Sequence, residues 1–328
     1  MTGATILGGI AGPDLGRDER AFLRAADPWG FILFGRNIDT PDRLRRLTAE
    51  LREAVGRDAP VLIDQEGGRV QRLRAPHWTD WPAPLEQAAR GVRAVWLHHH
   101  LLAQELRAMG IDADCAPVLD IARDDTHPFL HNRCLGSDAA TVTRLGRIAA
   151  EAMLSAGVLP IVKHMPGHGR ARVDSHKDLP VVDAPLEQLM ASDFAPFRAL
   201  ADLPMAMTAH IRFSALDQAP ATASARVIAV IREAIGFDGL LMSDDIGMQA
   251  LSGTLAQRAA ESIAAGCDLV LSCNETLAQM ESIAAAAGAM TPRALARGEA
   301  ALALRRAPQT ADTAALRAEL VALGGLAA

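Results

Sequence analysis

Tyrosine is absent from this 328-residue chain, so no tyrosine hydroxyl can serve as a nucleophile. Lysine is nearly absent too: Lys163 and Lys177 are the only lysines among 33 basic residues. Where arginine carries the ordinary surface charge, a lysine at 163 points to a need for a compact ammonium rather than a planar fork. The four cysteines, Cys115, Cys134, Cys267 and Cys273, have no CxxC spacing. At least three lie in or beside apolar runs, as reduced packing residues of a cytosolic protein would. No window reaches the roughly 18 uninterrupted apolar residues of a membrane span. The opening MTGATILGGIAGPDLG lacks a positive n-region and reads as a short strand rather than a signal peptide. A net charge of −6 without a basic run argues against nucleic acid or anionic membrane as partners.

What is present is an alternation of short apolar runs with longer stretches of helical period. Strands are expected over 4–10, 31–35, 61–64, 113–120, 160–164, 205–210, 240–245 and 268–273. Helical segments fall at 40–56, 92–109, 138–157, 185–200, 225–235 and 254–266. Strands apolar on both faces and separated by helices imply a parallel sheet, and eight such units imply one (β/α)8 TIM barrel. The barrel is expected over 1–305, with 306–328 a tail of linker and one amphipathic helix. An open doubly wound sheet would need a glycine-rich turn after its first strand, for which GGIAG at 8–12 is too loose.

The strand ends carry the chemistry. Asp64, Asp120, Lys163–His164, His210 and Asp244–Asp245 each stand where an apolar run stops, the end on which barrel enzymes build their sites. In VLIDQEGGRVQR, Asp64 precedes a Gly67–Gly68 turn and two arginines; a carboxylate beside a guanidinium suits a hydroxyl-rich ligand. The bland alternative is a surface turn with Glu66 as a helix cap.

The stretch KHMPGHGRARVDSH (163–176) is the densest in titratable groups. Lys163 and His164 are neighbours in a strand, so both reach one mouth only if the backbone leaves strand geometry there. Lys163 could form a Schiff base; His164, His168, His176 and Asp174 could bind a metal, although their spacing fits no compact zinc signature; or a sugar clamp could precede a mobile catalytic loop. Asp174 two residues before His176 can orient that imidazole for acid and base work. Regular alternation lets only one of Asp244 and Asp245 face the mouth, with Asp245 the better candidate for a helix N-cap. The triplet His98–His99–His100 lies in a helical stretch and reads as surface, and DDTHP at 124–128 reads as a turn.

Taken in order, LFGRNI, LIDQEGGRVQR, NRCLGSD, KHMPGHG-x4-DSH and SDDIGMQAL resemble the single-domain bacterial β-N-acetylhexosaminidases of glycoside hydrolase family 3, over roughly residues 5 to 275. The resemblance implies a TIM barrel that removes terminal β-linked N-acetylglucosamine from muropeptides carrying 1,6-anhydro-N-acetylmuramic acid. It further implies retention of configuration, no metal or other cofactor, and a cytoplasmic monomer working in cell-wall recycling. Position by position, Asp244 stands as nucleophile, His176 as acid/base and Asp174 as its partner. Asp64, Arg72, Arg133, Lys163 and His164 stand as sugar-binding residues. A loop bounded by Gly167 and Gly169 would close over the sugar. Three departures stand out: Arg170 and Arg172 where the family is often acidic or small, Met165 in place of an aromatic, and Ile246–Gly247 in place of Leu–Ser. The competing readings are a metal-dependent barrel hydrolase, a Schiff-base aldolase, and an inactive sugar-binding protein.

Overall fold

The computed structural model describes residues 1–307 and 311–326. Eight strands form the frame: β1 (Gly3–Leu7), β2 (Pro28–Leu33), β3 (Val61–Ile63), β4 (Ala113–Asp114), β5 (Leu159–Met165), β6 (Met205–Thr208), β7 (Leu240–Asp245) and β8 (Leu269–Ser272). All pair in parallel, each with its sequence neighbours, and β8 returns to β1, so the sheet closes into the (β/α)8 TIM barrel that the sequence implies.

Alternation along each strand sorts the side chains. Ile6, Ile32, Leu62, Ile161, Met207 and Met242 share one apolar cluster. Their chain neighbours Leu7, Phe31, Leu33, Val61 and Ile63 pack in another, with Leu44, Leu47 and Leu51 of the helix Pro41–Val55. Strands buried on both faces therefore need apolar residues at every position, which is what the sequence supplies. That helix starts where Thr40 accepts the N–H of Arg43 and Pro41 takes the first turn. It stops at Gly56, whose φ of 66° a side chain would oppose.

Several expected elements are shorter or broken. The run 113–120 ladders only at Ala113–Asp114; Val118 makes one isolated bridge to Lys163. A kink led by Ser192, with Pro196 in the first turn beyond it, divides 185–200 into helices Leu186–Ala191 and Ala195–Ala199, and 225–235 ends in a π-turn over Val230–Ala234. Helices Arg17–Ala26, Leu277–Ala287 and Pro292–Leu302 complete the outer ring and were not read from the sequence.

The triplet His98–His99–His100 corrects the surface reading: all three are buried in the helix Val92–Ala108. That helix packs against Ala139–Ser155 on one side and the β3 loop on another, so it has little free face. His98 reaches the Glu66 carbonyl at 3.3 Å, His99 the Val95 carbonyl at 2.8 Å, and His100 the Ser155 hydroxyl at 2.8 Å. Burial pushes all three below the usual imidazole range, His99 to about 4, so they are neutral packing groups.

In the tail, the helix Thr313–Ala322 lies on Val92–Ala108. Leu320 is buried there, Arg93 holds Glu319 with two hydrogen bonds, and Gln87 donates to the Gly325 carbonyl at 2.7 Å. Part of the expected linker, 308–310, lies outside the described residues.

Candidate active site

A cavity of about 720 Å³ opens at the C-terminal end of the barrel strands. Asp64, Arg72, Arg133, Lys163, His164, His176 and Asp244 all line it. Asp174 stands behind His176. The chain thus brings together residues from six separate loops or strand ends.

At its base is a network of buried charge. Lys163 Nζ lies 2.9 Å from Asp64 Oδ1 and 2.6 Å from Glu66 Oε1. Arg133 grips Glu66 through Nε and Nη2 at 2.8 and 2.7 Å, and Arg72 reaches Asp64 Oδ2 at 3.1 Å. Burial opposes ionisation of Asp64, but Lys163 and Arg72 outweigh it and hold the carboxyl far below its usual range. Burial works against Glu66 as well; Arg133 and Lys163 bring it down to about 2. Burial disfavours the Lys163 ammonium, yet Asp64 and Glu66 lift its pKa above the usual value. Two carboxylates thus engage the Lys163 ammonium, which argues against the Schiff-base reading. Glu66 is neither exposed nor a helix cap. It is the shared counter-ion of two cations that line the cavity, a role the sequence did not disclose because its partners lie far along the chain.

Strand β5 leaves regular geometry where the sequence requires it. Val162 pairs with Ala206 and Met165 with Thr208, so β5 uses one more residue than β6 and bulges at Lys163–His164. The peptide between those two residues is cis. Both side chains line the cavity. His164 Nδ1 lies 2.7 Å from Asp120 Oδ2, and the same carboxylate accepts the His168 backbone N–H at 2.6 Å. Burial opposes the Asp120 charge, but His164 prevails and lowers its pKa, so an ionised Asp120 fixes the imidazole with Nε2 left for the cavity.

The acidic pair after Ser243 behaves differently from the alternation rule. Leu269 pairs with Met242 and Leu271 with Asp245, so β7 carries one extra residue and both aspartates line the cavity. Their protonation states diverge. Burial opposes ionisation of Asp244, but His210, His164 and the Asp245 N–H, 2.8 Å from its Oδ1, hold the pKa low. Asp245 is pushed up to about 7 by burial and then by Glu275. It caps no helix; its Oδ1 accepts from Gly247 at 3.0 Å and Cys273 at 3.3 Å. Of the two, Asp244 is the one whose surroundings favour the anion.

His176 Nδ1 lies 2.8 Å from Asp174 Oδ1, which also accepts the His176 backbone N–H at 3.0 Å. Burial disfavours the Asp174 charge, but these bonds outweigh it and lower its pKa. The imidazole is thus oriented by an anion while its side chain stays 61% exposed. Gly167 and Gly169 are both closely packed. A Cβ at Gly167 would sit 2.8 Å from the Asp193 carbonyl, and one at Gly169 2.2 Å from the Ile121 carbonyl. Close backbone packing demands both glycines. Arg170 binds Asp193 at 2.7 Å and Arg172 binds Asp125 at 2.9 Å, so the two unusual arginines tie the loop to neighbouring segments. Met165 is fully buried in the core behind the strand end.

Among the described residues no three histidine, cysteine, aspartate or glutamate side chains converge on one point. His168 is neutral, lowered to about 4 by burial and by His164. The four cysteines are free and buried.

With this geometry in hand, the chain can be set beside known proteins. The glycosyl hydrolase family 3 N terminal domain matches residues 14–299. A β-hexosaminidase of Bordetella parapertussis is 37% identical over 278 residues, 81% of this chain and 78% of that one. A β-hexosaminidase of Alkalilimnicola ehrlichii is 40% identical over 278 residues, 81% of this chain and 79% of its own length. The crystal structure of NagZ from Neisseria gonorrhoeae in complex with N-trifluoroacetyl-D-glucosamine superposes with a TM-score of 0.86 at 30% identity, covering 98% of each chain.

Proposed function

The chain belongs to glycosyl hydrolase family 3, and on that premise we propose that it is a retaining exo-β-N-acetylglucosaminidase. Its substrate is a muropeptide in which terminal β-linked N-acetylglucosamine is joined to 1,6-anhydro-N-acetylmuramic acid, met in the cytoplasm during cell-wall recycling. The substrate and compartment rest on the sequence resemblance. Among the described residues no helix is long and apolar enough to cross a bilayer.

The mechanism rests on one observation: an ionised Asp244 and an Asp174-oriented His176 border one cavity. Asp64, Arg72, Arg133, Lys163 and His164 hold the sugar hydroxyls and the acetamido group. Asp244 attacks the anomeric carbon while the protonated His176 gives its proton to the departing glycosidic oxygen. The product is a glycosyl ester on Asp244. Neutral His176 then takes a proton from water as that water attacks the anomeric carbon, and the Asp244 carboxylate leaves. Two inversions give net retention. Most retaining enzymes place a second carboxylate about 5 Å from the first; here the aspartate–histidine pair takes its role, with imidazole suited to both proton transfers near neutral pH.

The test is hydrolysis of 4-nitrophenyl N-acetyl-β-D-glucosaminide with chelator present. Release of the β-anomer by NMR, and a 5-fluoro-sugar adduct on the peptide containing Asp244, are expected. Release of the α-anomer, or turnover that persists in Asp244→Ala, would sink the mechanism.

A further inference from the structure

The cations at the base of the cavity are closely matched by carboxylates, but Arg69 at its rim is not. Lys163, Arg133 and Arg72 all have Asp64 or Glu66 within 3.1 Å. Arg69 lines the same cavity, exposed, and among the described residues has no carboxylate within 4.0 Å. It donates only to the Phe129 carbonyl. Arg74, also lining the cavity and exposed, donates to the carbonyls of Gly68 and Arg69 at 3.3 and 3.4 Å and approaches Asp80 only at 3.9 Å.

The fold aims Arg69 deliberately. Gly67 and Gly68 have φ of 105° and 60°, and a Cβ on Gly67 would lie 2.3 Å from the Pro82 carbonyl. This tight turn carries the Arg69 side chain across to Phe129, whose ring stands edge-on to His176 at 6.0 Å between centroids. His176 must lie beside the leaving oxygen, so Arg69 lies on the side of the departing group, not on that of the neutral N-acetylglucosamine. An unmatched guanidinium at Arg69 beside the leaving group, with Arg74 held only loosely by Asp80, would repel a cationic aglycone and attract an anionic one even in a protein of net charge −6.

We propose that Arg69, backed by Arg74, forms an anion subsite that selects substrates whose leaving group carries a carboxylate. This deepens the proposed function and depends on it. The anhydromuramic acid of that substrate offers two sources of the same chemistry: the lactyl carboxylate of the sugar, and, when a stem peptide is attached, the carboxylates of the peptide. A guanidinium can take either as a two-pronged ion pair.

The experiment measures kcat/KM for three compounds: N-acetylglucosaminyl-anhydromuramic acid, its lactyl methyl ester, and the disaccharide bearing a stem peptide. Wild type should prefer the free acid to its ester by about tenfold or more, a preference that shrinks in 0.5 M salt as screening lengths fall to a few ångströms. In Arg69→Ala the acid-to-ester ratio should fall to within about twofold of one, whereas Arg69→Lys, which keeps the charge, should retain part of it. If the peptide form outpaces the ester and loses that advantage in Arg69→Ala, peptide carboxylates use the subsite as well. A wild-type ratio near one, or a loss in Arg69→Ala that is equal for acid and ester, would overturn the subsite and leave Arg69 as an anchor for Phe129. Failure to hydrolyse even 4-nitrophenyl N-acetyl-β-D-glucosaminide would instead overturn the glycosidase reading, and the subsite with it.

Discussion

Glu66 and Arg133 meet as a buried two-pronged ion pair, and the second cation on Glu66 is the Lys163 ammonium at 2.6 Å. Glu66 does not line the cavity, so its effect on substrate passes through the two cations it holds. Removing one member of a buried charge network costs about 3–5 kcal/mol, because the partners remain buried without compensation. Glu66→Gln should therefore lower the unfolding free energy by that order, seen as a lower denaturant midpoint, and raise KM more than it lowers kcat. An unchanged midpoint would mean that water or Asp64 replaces it.

His176 is predicted to matter in proportion to how badly the leaving group needs a proton. With an alkyl N-acetylglucosaminide, His176→Ala should lose on the order of 10²–10⁴ in kcat. With the 4-nitrophenyl glycoside, whose phenolate leaves with little help, the loss in the glycosylation step should be far smaller. Asp174→Asn, which keeps the shape but not the charge, should follow the same pattern more weakly. Equal losses on both substrates would exclude His176 as the acid.

Asp114 gives a pH signature of stability. It is fully buried, burial pushes its carboxyl up to about 8, and Oδ2 finds no partner among the described residues. Unfolded, the same group titrates near 3.9. Between about pH 4 and 8 the folded chain thus holds a proton that the unfolded chain has released. Stability from this group is complete below pH 4 and is lost as pH rises through 8, at up to ~1.4 kcal/mol per unit. Asp114→Asn removes that dependence, so variant minus wild type in unfolding free energy should grow from pH 5 to pH 8. A flat difference would refute the assignment.

Gly247 sits where a side chain would collide with its surroundings. A Cβ there would lie 2.2 Å from Glu275 Oε1 and 3.2 Å from Asp245 Oδ1. Glu275 is held by the Ser272 hydroxyl at 2.6 Å and the Asn274 N–H at 2.9 Å. Gly247→Ser should cost about 1–3 kcal/mol as an overpacked site. Adding Glu275→Ala should recover part of it, with a coupling of about 1 kcal/mol in the double-mutant cycle. Additive effects would mean that Glu275 simply swings aside.

Much of this protein was legible without coordinates. The eight apolar runs, their helical spacers and the ionisable residues at five strand ends follow from local pattern, because a strand buried on both faces permits polar groups only where it ends. Local pattern also required that β5 leave regular geometry if Lys163 and His164 were to share a mouth.

Helices with weak or alanine-rich patterns, such as Leu277–Ala287, were passed over because small residues give little periodic contrast. The histidine triplet misled because its neighbours come from elsewhere in the chain. Burial of His98 depends on the β3 loop and that of His100 on Ser155.

The sequence by itself determined the barrel and the inventory of its mouth, since both depend on residue type and spacing along one strand or loop. Only the tertiary structure decided what each inventory member does electrostatically. Asp244 and Asp245 are adjacent and identical in kind, yet one stays ionised among imidazoles while the other is raised to about 7 by burial and Glu275. A carboxyl's charge is set by the dielectric and the charges within a few ångströms of it, and those neighbours are assembled by closing the barrel, not by the order of the residues.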